Sequence, residues 1–239
     1  MSADREHKTL APADLTSPVG SHTPVEVLRL AETTGIAKAR LSSIGLIIKS
    51  CLAGISISLS AGFDIMIAGG ASSLRASNPS MATLVSAFTF PTGFVIIMLT
   101  NMELCTSNMF VMAYSTMRRR TTYIFNAAGC LFYAGIVFYW ADVFQTEAQT
   151  SYAVTQAEVR VNVNWGYNVT RGIIFTESAS SLLCFAAMGY HHSIANYFLV
   201  LIGMFYGTDF GMGNFIWASC IPVTIGNIIG GAFFGAFAM

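Results

Sequence analysis

The chain has 239 residues, 54% hydrophobic and only 10% charged, with twelve basic and twelve acidic side chains and a mean hydropathy of +0.60. A soluble domain carries about 25% charged residues, so the composition excludes an ordinary water-soluble domain. The zero net charge excludes nucleic-acid binding through bulk charge.

The apolar residues are gathered into long blocks, which predicts an all-α polytopic membrane protein. Residues 1–40 read as a polar cytoplasmic N-terminal tail, with the membrane domain over 41–239. The stretch VEVLRLAETTGIAKARL is a candidate amphipathic helix leading into the membrane. No apolar core lies close to Met1, so a cleavable signal peptide is not expected. Block one runs from about Ile44 to Gly70, block two from Met81 to Tyr114, and block three from Tyr123 to Trp140. A polar segment, Ala141 to Thr170, is expected to be an outer loop. Block four runs from Gly172 to Phe205 and block five from Phe215 to Met239. A crossing needs roughly 20 apolar residues, so blocks one, three and five each cross once.

Lys38, Arg40 and Lys49 flank the start of the first span, and Arg118, Arg119 and Arg120 follow the second. The bias of basic residues to the cytoplasm puts both sets, and the N-terminus, inside. The segment 141–170 then lies outside, where Asn168-Val169-Thr170 fits a glycosylation sequon. The five cysteines are scattered with no metal-ligand or disulfide spacing and read as buried thiols.

Two blocks are interrupted. NMELCTSN breaks block two and YHHSIAN breaks block four. Backbone inside lipid must satisfy its own hydrogen bonds, so such a break is tolerated only inside protein or beside a water-filled cavity. The bland alternative is polar glue between helices. Breaks of one kind in both halves of a chain favour an inverted repeat with a substrate site near the midplane.

At these residues the chain resembles the formate/nitrite transporter family, in a eukaryotic, fungal type. The resemblance is carried by LAGISISLSAG, FPTGFVIIMLTNMELCTSN, GYHHSIANYFLVLIGMF and IPVTIGNIIGGAFFGAF. It implies an aquaporin-like inverted-repeat helical bundle with broken second and fifth helices. Each protomer would hold its own pore, in a homo-pentamer or in a mixed ring with a full-length paralogue. It implies small monovalent anions and protons as the cargo, no cofactor, and a multi-pass protein of the plasma membrane. His192 matches the family's central histidine, and Thr106 the threonine that faces it. Phe90, Phe94, Leu104 and Phe185 fall at apolar constrictions, and Asn196 and Asn227 match asparagines of the helix break and last helix. His191 stands where the family often has an acidic residue, and Cys105 replaces a more usual aromatic.

The chemistry fits that assignment. A bare anion pays heavily to enter low dielectric. A midplane histidine attracts it as imidazolium, or gives it a proton so that a neutral acid crosses the apolar rings. Thr106 and backbone N–H groups at the helix ends can donate to it, and apolar rings hold back water and hydrated cations. A histidine that merely packs is the bland reading. His191, Glu103 and Ser193 are candidates for tuning or structure, with Glu103 expected against backbone donors of the loop. Adjacent His191 and His192 point apart, so no metal site is expected. Gly54, Gly62, Gly226, Gly230 and Gly231 are expected to allow close helix approach.

One span is missing from the count. Between Gly172 and His191 there is room for a single crossing, where the resembled family places span four, a cytoplasmic loop and half of span five. An internal deletion near 172–182 is therefore expected. It would turn the last spans over and part Thr106 from His192. Three functions compete: an anion channel or proton-coupled carrier, a water or small neutral solute channel, and a non-conducting truncated subunit. Aquaporin-type Asn-Pro-Ala loops are absent from the sequence. Neither a nucleophile–base pair nor a phosphate loop is evident, so an enzyme is not expected.

Overall fold

The computed structural model describes residues 24–111, 116–178, 189 and 191–238. The first helix, α1 (Pro24–Ala39), packs on a later membrane helix. A domain boundary at residue 40 thus separates α1 from the bundle it touches.

Helix α2 (Ser43–Gly70) starts at Ser42, whose side chain accepts from Gly45 N. Its outward stripe is Ile44, Ile48, Leu52, Leu59, Phe63 and Ile67, all exposed and suited to lipid. Its inward stripe includes Ser50, Gly54, Ser58 and Gly62. Apolar surface outside and small residues inside is the pattern of helices that meet in lipid, where close backbone packing replaces the hydrophobic drive. A short α3 (Ser72–Ser77) leads to α4 (Pro79–Thr89), capped by Asn78, and α5 (Thr92–Leu99). Beyond the first break lies α6 (Cys105–Val111). Helix α7 (Thr116–Phe132) continues as a π-helical stretch, Tyr133–Trp140.

The polar segment expected as an outer loop is largely helical. It forms α8 (Glu147–Val161), opened by a Thr146/Gln149 capping box, and the start of α9 (Trp165–Ser178). Only Ala153, Ala157 and Val161 of α8 are buried, a narrow stripe at helical spacing that leaves the other faces polar. Asn168 is fully buried, with its amide nitrogen donating to Arg160 O and Ala218 O. The sequon is therefore closed to glycosylation. The chain ends with α10 (Ser193–Phe205), then α11 (Met212–Phe215), a π-helical stretch Ile216–Cys220, and α12 (Ile221–Ala238).

Cross-helix contacts fix the directions. Ser50, Gly54 and Gly62 of α2 meet Asn126, Cys130 and Phe138 in turn, so α2 and the α7 rod run parallel. Asp64 meets Thr89, Gly93 meets Ser56, and Lys49 O accepts from Glu103 N, so the second span returns antiparallel to α2. Asn168 and Gly172 of α9 meet Ala218 and Asn227 in that order, so α9 runs with α12. Ser193 meets Asn227 and Asn196 meets Ser219, so α10 runs against both.

This geometry corrects the expected inversion of the last spans. Helix α9 runs inward from the outer side and α10 runs back toward it, so the two form an antiparallel pair. Each is too short to cross alone: 14 and 13 residues rise about 20 Å, against a hydrocarbon core of about 30 Å. Among the described residues four helical segments are long and apolar enough to cross, Ser43–Gly70, Pro79–Leu99, Arg120–Trp140 and Met212–Phe233. With α1 inside, α12 also ends inside. Thr106 and His192 remain opposed.

Glycines make the tightest approaches, in matching places. A Cβ on Gly54 would stand 2.1 Å from Asn126 O, and one on Gly129 2.2 Å from Cys51 O. A Cβ on Gly226 would stand 2.2 Å from Val169 O, and one on Gly172 2.7 Å from Val223 O. Backbone cannot yield as a flexible side chain can. Gly54→Val is expected to destabilise the fold by about 3 kcal/mol, measured as lost monodisperse yield and a lower melting temperature in detergent, with Gly213→Ala, in open space, as the silent control.

Candidate functional site

The two breaks are built alike. In the first half, Asn126 Nδ2 donates to Ser50 O (2.6 Å) and Glu103 O (3.0 Å), while its Oδ1 accepts from Cys105 N (2.9 Å). In the second, Asn227 Nδ2 donates to Gly172 O (2.8 Å) and His191 O (3.2 Å), while its Oδ1 accepts from Ser193 N (3.0 Å). Each asparagine supplies the partners that a broken helix loses, which is the condition for irregular backbone at membrane depth. The correspondence also sets the repeat: Ser50, Glu103, Cys105, Asn108 and Asn126 stand where Gly172, His191, Ser193, Asn196 and Asn227 stand in the other half.

Between the breaks, Thr106 Oγ1 lies 2.7 Å from His192 Nε2, with both residues buried. His192 also caps α10: its Nδ1 accepts from Ala195 N at 2.9 Å. A nitrogen that accepts carries no proton, so Nε2 carries it and donates to Thr106. The threonine hydroxyl hydrogen is left for a second acceptor. Two aromatic rings meet the imidazole edge-on, Phe94 at 5.4 Å and Phe175 at 4.6 Å between centroids. The site thus offers one fixed donor chain within an apolar collar.

Flanking polar groups differ between the halves. Glu103 Oε1 pairs with Lys38 Nζ at 3.2 Å, and its Oε2 accepts from Asn108 Nδ2 at 2.8 Å. Lys38 also donates to Asn108 Oδ1 at 3.0 Å. Glu103 is thus held by side chains, not by the backbone donors expected. In the other half, Arg160 Nε donates to Asn196 Oδ1 at 3.2 Å, and Asn196 Nδ2 donates to Ser219 Oγ. His191 Nδ1 lies 2.7 Å from Asn168 Oδ1, and its Nε2 lies 3.2 Å from an Arg171 nitrogen. Arginine can only donate and Asn168 uses its amide nitrogen elsewhere, so His191 is the neutral Nδ1–H form.

Leu104 is fully buried beside Thr106, and Phe90 is half-buried against the core. Ser193 Oγ is buried with no hydrogen-bond partner among the described residues. Phe185 lies outside the described residues. Sequence reasoning misses Phe175, Asn126, Lys38, Arg160, Asn168 and Arg171. Two paired patterns point to Asn126. Cys105-Thr106-Ser107-Asn108 matches Ser193-Ile194-Ala195-Asn196, and Asn126-Ala127-Ala128-Gly129 matches Asn227-Ile228-Ile229-Gly230.

Two broken helices meeting at a buried polar pair, within an inverted repeat, define a membrane transport protein. The sequence profile described as formate/nitrite transporter matches residues 25–175 and 179–239, and the chain belongs to that family. It is similar to the formate-nitrite transporter of Entamoeba histolytica, 28% identical over 242 residues that cover 88% of this chain and 67% of that one. Among solved structures it resembles an FNT family ion channel with a TM-score of 0.76 at 19% identity, covering 89% of this chain and 97% of that one. It also resembles a pentameric formate channel with formate bound, with a TM-score of 0.71 at 19% identity, covering 82% and 95%. The chain is a multi-pass membrane transporter and not an enzyme.

Proposed function

We propose that this chain moves small monovalent anions such as formate or nitrite across the plasma membrane, through a passage that Thr106 and His192 close at its centre. The observation that carries this reading is the 2.7 Å contact between those two buried side chains on opposed broken helices. The anion reaches the apolar collar of Phe94 and Phe175, sheds water, and accepts a hydrogen bond from the Thr106 hydroxyl, whose oxygen is polarised by His192 Nε2–H. Protonating His192 would cost the Ala195 cap, which favours a channel-like donor over a carrier that loads a proton at each turn. The similar solved formate channel is pentameric, and a ring of five copies is the assembly proposed here, with a mixed ring beside a longer paralogue as the variant.

A second reading rests on chain length. Asn126 joins Ser50 to Glu103, 53 positions apart, whereas Asn227 joins Gly172 to His191, only 19 apart. The second half is therefore proposed to lack a segment corresponding to most of α3–α5, near 172–182. That supports a chain that holds the central pair yet conducts poorly, or acts as a subunit in a mixed ring. Expression of this exact chain in a host lacking its own formate carriers, with uptake of labelled formate per molecule in the membrane, decides between the two. Saturable uptake above the empty-vector rate is the expected result; a well-expressed chain with none would leave the subunit reading.

A further inference from the structure

The two halves share one framework but not one charge. In the inner half, Lys38 donates to Asn108 and is neutralised by Glu103 at 3.2 Å. In the outer half, Arg160 donates to the matching Asn196, but the place of Glu103 is taken by His191. His191 is neutral, because Arg171 donates to one ring nitrogen and Asn168 Oδ1 accepts from the other. Among the described side chains neither Arg160 nor Arg171 makes an ion pair with a carboxylate. The acidic group that acts on Arg160 through space is Asp64, itself held by Thr89 Oγ1 at 2.8 Å. Among the described residues two guanidiniums therefore stand within one residue of contact of the central histidine with no carboxylate touching either, Asp64 acting on Arg160 only from a distance, while the inner cation is paired directly.

We infer that His191 is a specificity-determining residue: by standing where the repeat has Glu103, it leaves the outer half of the passage electropositive and makes it the higher-affinity entrance for small monovalent anions. This rests on the anion-transport reading. A carboxylate at 191 would cancel one guanidinium and repel the anion. A fixed cation in a low-dielectric cleft concentrates counter-ions by tenfold or more, so losing one of two is expected to weaken anion capture by about fivefold. The neutral imidazole is silent in charge and serves only to hold Arg171 and Asn168.

The experiment compares wild type with His191→Glu and His191→Gln. In proteoliposomes of known sidedness, the half-saturation concentration for labelled formate is measured separately from the outer and the inner face. His191→Glu is expected to raise the outer value about fivefold and leave the inner value within twofold, whereas His191→Gln leaves both near wild type. Formate binding to the purified protein by saturation-transfer NMR is measured in parallel and should weaken in His191→Glu alone. If wild type transports nothing but this binding difference holds, the transport reading fails and the charge assignment stands. Equal outer values in His191→Glu and wild type would overturn it. So would a His191→Gln variant as weak as His191→Glu, since the residue would then act through its hydrogen bonds.

Discussion

Replacing His192 by asparagine is expected to lower formate flux at least about tenfold while leaving the protein folded. Asparagine is a good N-cap, so its carboxamide oxygen can still accept from Ala195 N, as His192 Nδ1 does. What it cannot do is reach Thr106, since the imidazole bridges from the cap to a hydroxyl 2.7 Å beyond its far nitrogen. The threonine then loses the donor that polarises it. Removal of one such preorganised donor elsewhere costs about a hundredfold or more, and a transported ion that makes fewer fixed contacts should lose less. Wild-type uptake is expected to rise at mildly acidic external pH, as more of the weak acid is neutral, and the His192→Asn variant to keep the same proportional rise at its lower flux, because His192 itself stays neutral. Proteoliposome uptake at matched protein density measures both, with melting temperature confirming the fold. Unchanged flux in the variant would remove His192 from the passage.

Asn227→Leu is expected to be worse, because it removes the frame as well as the function. One side chain serves three backbone groups: the carbonyls of Gly172 and His191 and the amide of Ser193. Leucine has nearly the same shape but makes none of these bonds: the His191 carbonyl and the Ser193 amide lose the partner that bridges the break, and the helical Gly172 carbonyl loses its bond across to α12. Each buried unsatisfied group costs about 1–3 kcal/mol, so the loss reaches about 3 kcal/mol or more. The expected result is little folded protein and no measurable uptake. Asn126→Leu should act alike in the other half, where Ser50 O, Glu103 O and Cys105 N lose the same bonds. Thermal melts and detergent-extracted yield test the pair. A well-folded, active Asn227→Leu protein would mean that water or another side chain holds the break.

Much of this arrangement is legible in the residues because polarity is expensive in lipid. NMELCTSN and YHHSIAN stand out against apolar flanks, and their cost implies a purpose before any coordinates are known. Other parts hide for physical reasons. Helix α8 buries only Ala153, Ala157 and Val161, so its window is too polar to read as a membrane element and passes for a loop. Asn126 is a single polar residue inside an apolar run, where one amide looks like tolerated noise. Arg160 and Asn168 belong to the same polar segment, with Arg171 just past its end, and assigning that segment to water hides the burial of Asn168 and the inward contacts of the two arginines. Phe175 stands against His192, but as one aromatic in an apolar run it carries no sequence signal that sets it apart from its neighbours. Counting crossings leads to the expectation of a missing span and of inverted last helices. It does not show the directions, because α9 and α10 run antiparallel and so keep the final helix in its original direction.

That pair has a consequence for biogenesis. A nascent chain is sorted into the bilayer by its long apolar helices, and α10, with 13 residues between two breaks, is too short to remain there alone. Its N-terminal turn is tied to Asn227, and its side chains Asn196 and Tyr197 to Ser219 and Cys220. Those three anchors are synthesised after it, whereas Arg160 and Thr106, its partners at Asn196 and His192, are already made. The break that presents His192 is therefore only half framed until the final helix has left the ribosome, and Asn227 completes it as one of the last acts of assembly.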